Sequence, residues 1–237
     1  MSADAKATAL IAAAGSGERL GAGAPKALVA LAGRPMVVWS VEAMVAAKTI
    51  VQVIVTAPPG SEPEMRSATM LGSAAPVRMI TGGASRSASV RAALELVETE
   101  FVAVHDAARP LIEPLTVDAA VAALVADPAA AGLVVAAPVA DTLKRGDGGR
   151  VEQTVSRDGL WAIQTPQVFR TEALRSALDV DEAVLAAATD DAGLVERAGG
   201  SVLIHASDEL NPKVTTKADL EMVELVLQAR AAASAPQ

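Results

Sequence analysis

The sequence predicts an α/β fold, a single doubly wound domain whose mostly parallel sheet is covered by helices on both faces. Three observations carry that expectation. Short, continuously apolar runs alternate along the chain with helical stretches. Continuous apolarity marks strands buried on both faces, and strand–helix alternation favours parallel pairing. A loop of small residues follows the first apolar run, at the strand end where sheets of this kind gather ligands. One polar, glycine-rich stretch, residues 141–159, breaks the rhythm and reads as a β-hairpin arm projecting over about 139–159. A length of 237 residues fits one such domain spanning 1–237.

The expected strands are, in order, residues 8–13, 51–57, 77–81, 101–105, 132–137 and 202–205. Between and after them, helical patterns cover 35–47, 62–71, 87–98, 116–125, 171–178 and 218–232. Their ends carry matching signals. Pro35 suits a first helical turn, where its missing N–H would be unpaired anyway; Ser61 can cap the next helix and Gly72 can end it. Residues 231–237 read as a frayed tail.

Composition excludes several classes of function. Hydrophobic residues make up 51% of the chain, enough for a sizeable core, yet Gly, Pro or charge interrupts every apolar stretch before a membrane span is complete. Cysteine is absent, which removes disulfides, thiolate metal sites and cysteine nucleophiles. The opening Met1–Lys6 segment carries an acid and leads into a short apolar run, unlike a secretory signal, so a cytoplasmic location is expected. A net charge of −8 opposes binding to nucleic acid, and 2% aromatics with no Tyr offer no stacking platform. Against that acidic background, Arg19, Lys26, Arg86, Arg91, Arg109, Lys144, Arg157 and Lys213 fall in or beside loops rich in Gly, Ser, Thr or Pro. An acidic protein with basic loops points to a local anion site.

The loop itself runs Ala12-Ala13-Ala14-Gly15-Ser16-Gly17-Glu18-Arg19-Leu20-Gly21 and continues to Pro25-Lys26. Small residues let backbone N–H groups approach a phosphate, and Arg19 and Lys26 add charge where a triphosphate concentrates its own. A tight strand-to-helix turn with no ligand is the plainer alternative. A dinucleotide site fits less well, because the glycine spacing misses that fingerprint by a residue and Thr56-Ala57-Pro58, not an acid, ends the second strand. Lys26 follows Pro25, so this is not a Walker loop either.

The run A-A-G-S-G-E-R-L…P-K resembles the signature loop of sugar-phosphate nucleotidyltransferases. A second run, Val104-His105-Asp106-Ala107-Ala108-Arg109-Pro110, narrows the resemblance. With Gly82-Gly83…Arg86-Ser87-Ala88-Ser89-Val90, Asp141-Thr142-Leu143-Lys144, Thr165-Pro166-Gln167 and Lys213-Val214-Thr215, the ordered set closely resembles the 2-C-methyl-D-erythritol 4-phosphate cytidylyltransferases. These enzymes act in non-mevalonate isoprenoid synthesis. Ala12 stands where members of that family usually have Pro, a change that removes no reactive group.

The resemblance implies a Rossmann-like nucleotidyltransferase fold, CTP and a small polyol phosphate as partners, Mg²⁺ or another divalent ion, and a homodimer joined through the arm. It implies that Arg19, Lys26, Arg157 and Lys213 are catalytic. Ala13, Ala14, Gly15, Gly17, Gly82, Ser89 and Asp106 would hold the nucleotide. Asp106, Arg109, Thr142, Thr165, Arg157 and Lys213 would hold the acceptor. Asp106, at a strand's carboxyl end, is also the best carboxylate for the metal, with a turn cap as its plain alternative. His105 and His205, within or at the end of apolar strands, read as structural. Asp190 and Asp191 read as a helix cap, with a site role left open by a similar run in the family. Ribitol 5-phosphate cytidylyltransferases share the His-Asp-Ala-Ala-Arg-Pro run and are the runner-up. A nucleotide-binding regulator without catalysis and an NAD-dependent oxidoreductase are the rivals outside the class.

Overall fold

A computed structural model of the protein describes residues 5–15, 25–69 and 75–234. Gly17, Arg19 and the expected helix end at Gly72 therefore lie outside the described residues. Along the chain run β1 (Ala7–Ala12), a 3-10 turn (Lys26–Leu28), β2 (Ala30–Leu31), β3 (Arg34–Pro35), α1 (Met36–Ala46), β4 (Ile50–Ala57) and α2 (Glu62–Thr69). Next come β5 (Val77–Thr81), α3 (Arg86–Leu94), β6 (Phe101–Asp106), α4 (Pro114–Ala126), β7 (Gly132–Pro138), β8 (Leu143–Asp147) and β9 (Arg150–Val155). The chain ends with β10 (Trp161–Arg170), α5 (Thr171–Leu178), α6 (Glu182–Ala187), α7 (Asp191–Arg197), β11 (Val202–Ala206) and α8 (Lys217–Ser234).

Seven strands form one sheet in the order β11-β7-β10-β6-β1-β4-β5. β1 lies parallel between β4 and β6, β5 is parallel to β4, and β11 is parallel to β7. The expected parallel sheet is thus present, but β10 enters it antiparallel between β6 and β7. No strand was expected there, because Gln164, Thr165, Pro166 and Gln167 interrupt its apolar pattern. Its pairing with β7 is irregular between Ile163 and Gln167, which leaves those polar residues free for other partners. α6 was likewise not anticipated, and α1 begins one residue after Pro35, which pairs in β3.

Alternate residues of the strands feed two cores. On one face Ile11, Val53 and Ala103 pack with Val41 and Met44 of α1 and with Val121 and Leu124 of α4. On the other, Leu10, Ile54 and Val102 pack with Val90 and Leu94 of α3, Leu174 of α5 and Val195 of α7. A third cluster joins Val223 and Leu227 of α8 to Leu31, Met36, Leu111 and Val214. It ties the loop between β11 and α8 to the segment that follows β6. The expected arm is present as the antiparallel pair β8–β9, closed by Gly148 and Gly149 at φ 53° and 77°. It forms a sheet of its own, and nearly all its residues are exposed.

Candidate active site

A cavity of about 720 Å³ opens where β1 and β6 end, bounded by the segments after β1, β5 and β6 and by the loop before α8. Ala13, Ala14 and Gly15 form one wall, fixed to β4 by the Ala13 N–H donating to the Thr56 carbonyl at 3.1 Å. The facing wall is residues 83–86 with Ser89. Here the sequence shapes the backbone closely. A Cβ on Gly82 would stand 2.5 Å from the Ala14 Cβ and 2.8 Å from the Ser89 Oγ, so only glycine lets the two walls approach. The Ser89 hydroxyl accepts from the Gly83 N–H at 2.9 Å and donates to the Ser85 carbonyl at 2.8 Å, so it sets the loop's shape. Ser85 caps α3 by accepting from the Ala88 N–H.

Lys26, Arg86 and Lys213 bring positive charge to the cavity, and Asp106 lies among them. Asp106, almost wholly buried, accepts from Arg86 Nε at 2.8 Å and faces Lys213 Nζ at 2.7 Å. Arg86 also pairs with the buried Asp191 at 2.6 Å. The groups alternate in sign: Asp191, Arg86, Asp106, Lys213. Burial pushes the Asp106 carboxyl up, but Arg86 and Lys213 outweigh it and hold that carboxyl well below the ordinary carboxylate range. Asp191 goes the other way: burial raises it, Arg86 opposes, and the charges of Asp106 and Asp190 add to the rise. The contrast follows from their partners, since Asp106 has two cations and Asp191 shares one.

Behind Asp106, His105 is fully buried and burial holds its imidazole down at about 4, so it is neutral. The Arg109 carbonyl can only accept, so Nε2 carries the proton toward it at 3.1 Å. Nδ1 then accepts from the Thr165 hydroxyl at 2.9 Å, and that oxygen in turn accepts from the Asp106 N–H at 3.1 Å. His105 thus supports the strand end, the structural role expected of it. Asp190 caps α7, accepting from the Gly193 N–H at 3.0 Å, as its position suggested.

Of the residues expected at the site, Ala13, Ala14, Gly15, Lys26, Ser89, Asp106 and Lys213 line the cavity. Gly82 sits one step behind the wall and Thr165 behind Asp106. Arg109 lies beside the Lys213 loop, donating to the carbonyls of Asn211 and Ile163 at 2.7 and 3.2 Å, and its burial lowers its pKa. Thr142 and Arg157 stand exposed on the arm and do not line the cavity, the Arg157 guanidinium donating to the Ala140 carbonyl. Sequence reasoning counted Arg86 among the cations of an anion site but gave it no role of its own, and the structure makes it the first residue of α3. The helix dipole disfavours positive charge there, and Asp106 and Asp191 offset it. Ala27 and Met36 also line the cavity without having been singled out, as does Thr215, which the sequence reading quoted only as part of the Lys213-Val214-Thr215 run. Among the described residues, no three acidic or histidine side chains cluster as a metal cage, so Asp106 is the single carboxylate on offer.

The sequence profile of 2-C-methyl-D-erythritol 4-phosphate cytidylyltransferase matches residues 7–229. A protein of that name from Frankia casuarinae is 46% identical over 223 residues, covering 92% of this chain and 80% of its own. Another from Deinococcus radiodurans is 46% identical over 216 residues, covering 91% of this chain and 87% of its own. The crystal structure of 2-C-methyl-D-erythritol 4-phosphate cytidylyltransferase from Thermus thermophilus superposes with a TM-score of 0.78 at 31% identity, covering 94% of this chain and 99% of that one. A cation-lined cavity at the strand ends of this sheet, and likeness running through almost the whole chain, lead to one conclusion: the chain belongs to the 2-C-methyl-D-erythritol 4-phosphate cytidylyltransferase family.

Proposed function

We infer that this chain transfers a cytidylyl group from CTP to 2-C-methyl-D-erythritol 4-phosphate, giving 4-diphosphocytidyl-2-C-methyl-D-erythritol and pyrophosphate in non-mevalonate isoprenoid biosynthesis. The observation that carries this reading is the convergence of Lys26, Arg86 and Lys213 on a cavity whose neutral walls are backbone. Such an arrangement suits a triphosphate and a second phosphate side by side. An oxygen of the acceptor phosphate attacks the α-phosphorus, a new P–O bond forms, and the bond to pyrophosphate breaks with its electron pair on the departing oxygen. No proton transfer is required, so positioning and charge neutralisation supply the acceleration.

Lys26 and, from the segment outside the described residues, Arg19 neutralise the charge that builds on the leaving group. The backbone of Ala13, Ala14, Gly15 and Gly17, with the loop shaped by Gly82 and Ser89, holds the nucleotide. Lys213 grips the acceptor phosphate, and Asp106, Arg109 and Thr165 shape the polyol subsite. A divalent ion such as Mg²⁺ fits this donor set, because Mg²⁺ takes few protein ligands and most of its oxygens from phosphates and water. Asp106, kept ionised by Arg86 and Lys213, is the carboxylate that would hold it. The ion's contribution there is neutralisation of triphosphate charge.

Arg157 and Thr142 serve the site of a second copy in a homodimer joined through the arm. What supports this is that neither lines its own chain's cavity and that both belong to a hairpin whose residues are nearly all exposed. Lys26→Ala and Arg157→Ala, each nearly inactive alone, test it when co-expressed. In a twofold dimer with random mixing, about a quarter of all sites would be free of both changes and activity would return to that level. Mixed dimers without recovered activity would mean that Arg157 serves its own chain. A cytoplasmic location suits this chemistry, and no helix among the described residues is long and apolar enough to cross a membrane. The reaction itself is tested by pyrophosphate release with each of four nucleoside triphosphates against methylerythritol and ribitol phosphates. The largest kcat/KM is expected for CTP with methylerythritol phosphate. Preference for ribitol phosphate moves the assignment to that acceptor, and no release with any pair refutes transfer.

A further inference from the structure

Lys213 sits in a stretch, residues 207–216, that has neither helix nor strand. Its placement therefore depends on a few discrete contacts. Val214 N–H donates to the Ala108 carbonyl at 2.8 Å, and the Asp219 carboxylate gathers Thr215 and Thr216 at the start of α8. The remaining contacts converge on Asn211. Its side-chain Nδ2 donates to the Thr165 carbonyl at 2.8 Å, and its own carbonyl accepts from Arg109 at 2.7 Å.

Two features mark that amide as more than filler. Leu210 is 48% exposed while Asn211 is 3% exposed, the reverse of what hydrophobicity alone would select. Among the described residues, Asn211 Oδ1 is also buried without a partner, so burying this amide carries a cost that its Nδ2 contact and position must offset. Pro212 follows it and biases Asn211 toward an extended backbone, away from a helical one.

The contacts close a ring. Thr165 holds the Asp106 N–H through its hydroxyl and Asn211 through its carbonyl, and two residues beyond Asn211 the Lys213 ammonium returns to the Asp106 carboxylate. Thr165 can serve both sides because it lies in the irregular part of β10, outside the paired register with β6 and β7. We propose that Asn211 is a positioning residue that fixes Lys213 against Asp106, so that its ammonium meets the acceptor's phosphate. This rests on the cytidylyl-transfer reading.

The test is a double-mutant cycle on the full-length protein with Asn211→Ala, Lys213→Ala and the double variant, assayed with CTP and methylerythritol phosphate. Asn211→Ala is expected to lower kcat/KM for the acceptor by about tenfold or more, the scale of one buried hydrogen bond lost. CTP affinity should stay within about twofold, because Asn211 contacts Thr165 and Arg109, both on the acceptor side. In the Lys213→Ala background the same change should cost nothing further. Additive losses, an equal fall in CTP affinity, or an unchanged acceptor kcat/KM overturn the proposal. Asn211→Ser, whose hydroxyl stops one bond short of the lost amide nitrogen, carries the same cycle should the alanine variant not fold. If the wild-type protein releases no pyrophosphate at all, the transfer reading fails instead. The crystal structure of Asn211→Ser then decides the positioning claim, which holds if Lys213 Nζ has left Asp106 and falls if the pair is intact.

Discussion

The cavity end of the sheet and the projecting arm are built on opposite plans. At the cavity, contacts span long stretches of chain: Arg86 reaches Asp191, Asp106 meets Thr165, and Arg109 meets Asn211. Along the arm they are local: Lys144 to Thr154, Ser156 to Asp158, Arg157 to Ala140. The cavity is preorganised by the whole fold, so its charges stand in place before any ligand arrives. The arm is one two-stranded hairpin with exposed faces, a structure marginal by itself. In the proposed dimer, the arm acts on a second copy of the chain. The two regions should therefore answer to different perturbations.

The largest effect belongs to the cavity's chemistry. Lys26→Ala should lower turnover by on the order of a hundredfold or more, as removal of a transition-state donor does, while CTP binding changes far less. Normal turnover with only a raised KM for CTP would limit Lys26 to ground-state binding.

Next comes the buried support of that cavity. The folded His105 pKa, about 4, lies below its ordinary 6.5. Unfolded chains therefore bind a proton that folded ones do not as pH falls through this window, and stability is complete above 6.5 and lost toward 4. The expected loss is on the order of 3 kcal/mol. In His105→Gln, urea denaturation across that range should show a flatter dependence on pH. An unchanged slope would assign the loss to other groups.

Gly82→Ala should cost about 1–3 kcal/mol through overpacking against Ala14 and Ser89, with weaker CTP binding as the walls part. A stable variant with normal CTP affinity would mean the walls give way freely. The smallest effect belongs to the arm. Val151 is 66% exposed, so Val151→Ser should change the stability of a single chain by about 0.5 kcal/mol or less. In sedimentation it should nevertheless shift the protein toward monomer. Unchanged association would put the dimer contact elsewhere than this face of the arm.

The same contrast explains what could be read from the sequence. β1, β4, β6 and β7 announced themselves because buried parallel strands are continuous apolar runs, and the arm did so because Gly146, Gly148 and Gly149 interrupt a polar stretch. β10 stayed hidden because its polar residues find partners elsewhere in the chain: Thr165 meets His105, Asp106 and Asn211, and Gln167 meets Asp190 and Ala192. The cavity's cations in glycine-rich loops were legible as an anion site. What Arg86 pairs with was not, since Asp191 lies 105 residues away and no local pattern links them. Asn211 was passed over for the same reason: only the fold turns it inward and Leu210 outward.

The central claim is that two phosphates are joined, and phosphorus NMR of the wild-type protein with CTP, Mg²⁺ and 2-C-methyl-D-erythritol 4-phosphate reads it directly. The account predicts a pair of coupled diphosphate-diester resonances growing in step with inorganic pyrophosphate as the acceptor's monoester signal falls. CDP with inorganic phosphate, or CMP with pyrophosphate beside an unchanged acceptor, would show hydrolysis without transfer and contradict it.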